Sequence, residues 1–187
     1  MEGEADLKFI TDFVLHKFNY SLIKGIEVQE VKGKDSLRAF QINFKQSSET
    51  KTNLLIFDAN GSFGDRLNDL ERRKSELSIE FQTFLFPNNI ENGDLEILLE
   101  NIINQNQQKI INCFNVFQNC LEEVQHDNLR LPNRKDKIYM YASLLSSNEL
   151  AKENKRNYRN ADLWNLDSEY LDPLYNFLSP YFSHDEN

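Results

Sequence analysis

The clearest signal along the chain is an unbroken apolar run, Leu54-Leu-Ile-Phe57, followed at once by Asp58 and the turn pair Asn60-Gly61. Four consecutive apolar residues bounded by turn formers predict a strand buried on both faces, ending in a loop at Asp58. Upstream, Leu7, Ile10, Phe13, Val14 and Phe18 recur at helical spacing from Ala5 onward and predict a helix packed by one face. Ile26, Val28 and Val31 read as a short extended segment. Leu37, Phe40 and Phe44 predict a second helix over 35–44, capped at Asp35 or Ser36. Gln46 to Thr52 is polar and reads as a loop.

After the turn, Leu67, Leu70 and Leu77 mark the apolar stripe of a helix whose other face carries Asp65, Arg66, Asp69, Arg72, Arg73 and Lys74. Phe81 to Phe86, stopped by Pro87, predicts a strand, 88–93 a loop, and Asp94 the start of a helix through Leu95, Leu98, Leu99, Ile102 and Ile103. Alternation of strand and helix predicts an α/β domain over 1–104, a mostly parallel sheet flanked by helices. From 105 to 187 strands disappear. Ile110, Ile111, Phe114, Phe117 and Leu121 form one helical stripe, Ile138, Tyr141, Ala142 and Leu145 another, with 127–133 a loop between them. Asp172-Pro173 suits a helix start, and 183–187 a polar tail. The expected organisation is an α/β domain with a C-terminal helical extension packed on it as one structural unit.

Composition narrows the picture modestly. Lys and Arg number 21 against 30 Asp and Glu, a formal charge of -9, which weighs against tight sequence-blind binding of nucleic acid without excluding a local basic strip. Such a strip exists in Arg130, Arg134, Lys135, Lys137, Lys152, Lys155, Arg156 and Arg159. A solvated helix face is the simpler reading, with phosphate contact and stacking of a base on Tyr158 as the functional one. Trp164, Leu166 and Leu171 read as core anchors. The two cysteines, Cys113 and Cys120, lie about 10 Å apart along one helix, too far to bridge, and are expected to be inert core residues. The absence of a disulfide framework and of a long apolar run points to a cytoplasmic protein. His16, His126 and His184 show no ligand spacing for zinc.

Acidic residues cluster at three places: Glu2, Glu4 and Asp6; Asp58 with Asn60; and Asp94 with Glu96. Successive strand-to-helix junctions of a parallel sheet share one edge, so the three clusters are expected to converge there. Carboxylate oxygens gathered in this way suit magnesium, completed by water and phosphate oxygens. Asp6, Glu4, Asp94 and Glu96 equally suit helix N-termini, where acids are favoured by the helix dipole and by capping.

Met1-Glu-Gly-Glu-Ala-Asp-Leu-Lys-Phe-Ile10 resembles the first motif of Toprim domains, and Leu54-Leu-Ile-Phe-Asp-Ala-Asn60 the second, a hydrophobic strand ending in Asp-x-Asp. The stretches 84–96 and Leu163-Trp-Asn-Leu-Asp167 are similar to a small Toprim-related microbial group. The resemblance implies a Toprim-like fold and magnesium- or manganese-dependent phosphoryl transfer on nucleic acid or on a nucleotide phosphate. It implies Glu2 as acid or base and Asp58, Asn60 and Asp6 as metal ligands, with Asp94 and Glu96 as further carboxylates. Two departures stand out. Asn60 replaces the second Asp, which removes a charge and implies weaker metal binding, or a degenerate module that binds nucleic acid or a protein without catalysis. The strand expected before the first motif is missing, because Glu2 follows Met1, so an apolar segment upstream of Met1 is expected.

Overall fold

The computed structural model describes residues 1, 3–18, 28–31, 33–45 and 52–182, and the elements below lie within them. Glu2, Ile26, the loop at 46–51 and the tail at 183–187 fall outside the described residues. Helix α1 spans Glu4–Phe18. A 3-10 turn, Lys34–Phe40, follows Gly33 and runs into α2, Gln41–Lys45. Strand β1, Leu54–Asp58, leads through α3, Phe63–Leu77, to β2, Gln82–Phe86. Helices α4, Leu95–Asn101, α5, Gln108–Glu122, α6, Arg134–Leu145, and α7, Asp172–Phe182, complete the chain. The segment Val28–Val31 belongs to no helix or strand, and its Val31 N–H donates to the Met1 carbonyl at 2.7 Å.

The fold is α/β. β1 and β2 pair in parallel, Leu54 opposite Gln82 through Asp58 opposite Phe86, joined by α3 as crossover. Side chains alternate across the two faces of this sheet, as a period of two requires. Ile56, Phe84 and Phe86 enter one core with Phe9 and Phe13 of α1, Leu95, Leu98 and Leu99 of α4, Tyr141 of α6 and Leu174 and Leu178 of α7. Leu55, Phe57 and Leu85 enter the other with Leu70 of α3, Ile79, Phe81, Val31 and Leu37. Helices on both faces explain why β1 is apolar without interruption.

Local chemistry sets the helix ends. Ser62 caps α3 by accepting from the Asp65 amide at 3.2 Å, and Ser78 closes it in the left-handed conformation. Asn133 and Asp136 form a reciprocal capping box on α6. The segment after α6 is tied to the rest by polar contacts as well as by its buried apolar residues. Asp12, on α1 and buried, accepts from the Tyr158 amide at 2.8 Å and from Lys8 Nζ at 2.6 Å. Asp167 accepts from Lys17 Nζ at 2.6 Å and lies 3.0 Å from His16 Nε2, contacts that hold its carboxyl below the usual range. Trp164, 2% exposed, sits edge-on to Tyr141 with ring centres 5.3 Å apart, as a core anchor should. No helix among the described residues is long and apolar enough to cross a membrane.

Candidate functional site

The site lies beyond the carboxyl ends of the two parallel strands, where Asp58 closes β1. Asp58 is half-buried, and its Oδ1 accepts from the Leu95 amide at 3.1 Å, so the first turn of α4 is aimed at its charge. The loop after it is tightly made. The Asn60 amide donates to the Gly93 carbonyl at 2.6 Å, and the two residues form an isolated antiparallel bridge. Asn60 adopts φ 56°, a left-handed conformation that Asn tolerates, and its side-chain amide reaches the Asp58 carbonyl at 3.4 Å. Gly93 has φ +143°, and a Cβ there would lie 2.3 Å from Ile97 Cδ1. That backbone angle is what favours glycine here, since Ile97 Cδ1 is the movable tip of its side chain.

The remaining candidates stand in different roles. Asp94 is the N-cap of α4, accepting from the Ile97 amide at 3.0 Å, and stands 3.7 Å from Arg134. Glu96, 4% exposed, faces Lys135 Nζ at 3.7 Å, and Lys135 also lies 3.8 Å from Glu153. Glu100 receives Arg134 at 3.4 Å and Lys137 at 2.8 Å. Asp6 is buried at the start of α1 and accepts from the Gly3 amide at 3.0 Å, a bond that closes the first turn. Glu4 beside it accepts from Asn154 at 2.8 Å and, with Tyr139, Lys152 and Glu153, lines a shallow hollow next to Lys135. The N-terminus of α1, the turn at 152–154 and the start of α6 therefore meet along one side of the rim.

Electrostatics follow from this packing. Burial lifts the Glu96 carboxyl above its ordinary range, and the Lys135 ammonium only partly offsets it. Lys135 in turn is held above its usual value by Glu96 first, with Glu153 and Asp58 adding to it. Lys135 thus senses the charges of Glu96, Glu153 and Asp58, which come from three other stretches of the chain. A carboxyl whose folded pKa exceeds its unfolded one favours folding fully below the unfolded value, about 4.3, and loses that contribution as pH rises through the folded value. Glu96→Gln should therefore unfold at a higher temperature than wild type at pH 7, and the two melting curves should coincide near pH 4. A variant less stable than wild type at pH 7 would show that the Lys135 pair outweighs burial.

Several residues stand elsewhere than their spacing suggested. Tyr158 cannot stack on a base: it is fully buried against Phe9 and Trp164, and burial pushes its hydroxyl up to about 12. Arg156 is likewise buried, donating to the Ala151 carbonyl at 2.8 Å. Cys113 and Cys120 are exposed rather than in the core, because only Ile111 and Phe114 of α5 are buried. Phe117 is 48% exposed for the same reason. Arg130 pairs with Asp136, and Lys152 and Lys155 with Glu149, as solvated helix faces do. Lys135 and Arg134, part of that basic strip, turn out to be rim residues. Of their acidic partners, Asp94, Glu96 and Glu100 lie far upstream on α4 and Glu153 downstream, and no local spacing signals the pairing.

At the end of β1, Asp58 and the Asn60 side-chain oxygen are the groups that could hold a divalent ion, whose remaining positions water or phosphate oxygens fill. Among the described residues no three His, Cys, Asp or Glu side chains are grouped to hold a metal ion.

One family model, described as "Protein of unknown function (DUF3226)", matches residues 1–183. No curated protein and no solved structure matches the chain.

Proposed function

The chain belongs to the DUF3226 family, and for this member we propose magnesium- or manganese-dependent phosphoryl transfer on nucleic acid by a Toprim-like module. The observation that carries this reading is Asp58: a half-buried carboxylate at the end of a buried parallel strand, anchored through one oxygen by the Leu95 amide. Asp58 is the principal metal ligand, with the Asn60 side-chain oxygen and Asp6 assisting, and Glu2 takes the role of acid or base. Asp94 and Glu96 shape the far side of the rim through their pairs with Arg134 and Lys135. When bound, the ion supplies charge neutralisation at a phosphodiester and a more acidic water. Lys135 and Arg134 bring two cations to the same edge, suited to a phosphate that approaches Asp58.

A second reading, a Toprim-like module that binds nucleic acid or a protein without catalysis, is favoured by two observations. Asn60 supplies no charge and serves the turn, and the Lys135 ammonium already stands among the acids. Assays of phosphodiester hydrolysis on single- and double-stranded DNA and RNA, with magnesium or manganese, separate the two. Metal-dependent cleavage lost in Asp58→Ala and increased in Asn60→Asp supports catalysis. No cleavage by wild type or by Asn60→Asp, with tighter metal binding in the latter, supports the binding role.

A further inference from the structure

Helix α5 carries two apolar stripes, and the core uses one of them. Ile111 and Phe114 face inward, and Lys137 lies over the Phe114 ring. The second stripe, Cys113, Phe117, Cys120 and Val124 just past the helix end, is exposed, with Val116 beside it. Val116 is 63% exposed, Phe117 48% and Val124 51%. Steps of four, three and four residues are the alternation of a coiled-coil seam, whose natural occupant is another helix. From Ile110 to Leu121 there is no charged residue, and the polar positions are Asn112, Asn115, Gln118 and Asn119. On a chain of formal charge -9, this neutral strip is where a second copy meets the least repulsion.

The ends of α5 identify the occupant and its direction. Lys109 stands in the first turn and Glu122 and Glu123 at the last, opposite to what the helix dipole favours. All three are exposed. An antiparallel copy of the same helix reverses this disadvantage, because each lysine then meets two glutamates and each acidic end meets a helix N-terminus. We propose that α5 pairs with α5 of a second copy across a two-fold axis near Val116, with Lys109 of each copy beside Glu122 and Glu123 of the other. Such an interface is isologous, with Phe117 and Val116 at its centre and charges at both rims. One pair of helices about 22 Å long is a small interface, so association in the micromolar range is expected.

Sedimentation equilibrium of the full chain, from low micromolar to near-millimolar concentration, tests this. The expected result is a reversible rise from monomer to dimer mass. Phe117→Glu, at an exposed position, should abolish the dimer while leaving circular dichroism unchanged. Lys109→Glu should weaken association about tenfold, and combining it with Glu122→Lys and Glu123→Lys should restore it. A chain that stays monomeric throughout overturns the proposal. So does a dimer that survives Phe117→Glu, or a charge reversal that fails to restore pairing.

Discussion

Trp164→Ala is expected to destabilise the fold by about 3–5 kcal/mol, lowering Tm by roughly 10 °C for a chain of this size. The indole fills the junction of three segments. It packs edge-on to Tyr141, lies 5.6 Å from the Tyr158 ring, and its backbone bridges to Ile103 just after α4. On either side, Asn104 donates to the Leu163 carbonyl at 2.8 Å and Asn165 to the Ile102 carbonyl at 2.6 Å. The Tyr141 hydroxyl reaches the same Leu163 carbonyl at 2.6 Å. Truncation leaves a cavity between rings whose own positions depend on these bonds, so little collapse is available to offset it. Thermal denaturation followed by near-ultraviolet circular dichroism measures the loss. A change in Tm of one or two degrees would mean that the C-terminal segment is held by something other than this aromatic cluster.

Asp12→Ala should cost about 3 kcal/mol, and Asp12→Asn clearly less. In the alanine variant the buried Tyr158 N–H loses its acceptor and the Lys8 ammonium loses its partner. Asparagine keeps an oxygen for the amide, so the difference between the two variants isolates the hydrogen bond from the charge. Because Tyr158 packs on Phe9 and Trp164, Asp12 joins α1 to the segment that follows α6. Chemical denaturation of the two variants gives both numbers. Equal losses in Ala and Asn would assign the effect to the Lys8 pair alone.

These two residues also show what spacing along the chain can and cannot reveal. β1 is legible because four apolar residues in a row, bounded by turn formers, fit a strand covered on both faces and little else. Asp94 is legible because an acid before an apolar periodic run is a capping signal. Trp164 is legible as an anchor from its size and its apolar neighbours. Asp12 is not, since one acid among the apolar positions of α1 looks like any solvated residue until the Tyr158 amide is placed against it. The outward stripe of α5 reads as core in the sequence, because periodicity reports how many apolar residues a helix has and not how wide a face its neighbours cover. At the site, Asp58 stands where a strand-end acid is expected. The Lys135 pair with Glu96 depends on the packing of α6 on α4, which no local motif encodes.

If Asp58 marks a divalent-cation site at the end of β1, the ion itself reports it. Titration of wild type and Asp58→Ala with manganese, followed by the electron paramagnetic resonance signal of free ion, is the most direct test. Saturable binding by wild type at millimolar manganese is expected, with about a tenfold weaker affinity, or none, in the variant. Wild-type protein that leaves the free-ion signal unchanged, or a variant that binds as well as wild type, would contradict it.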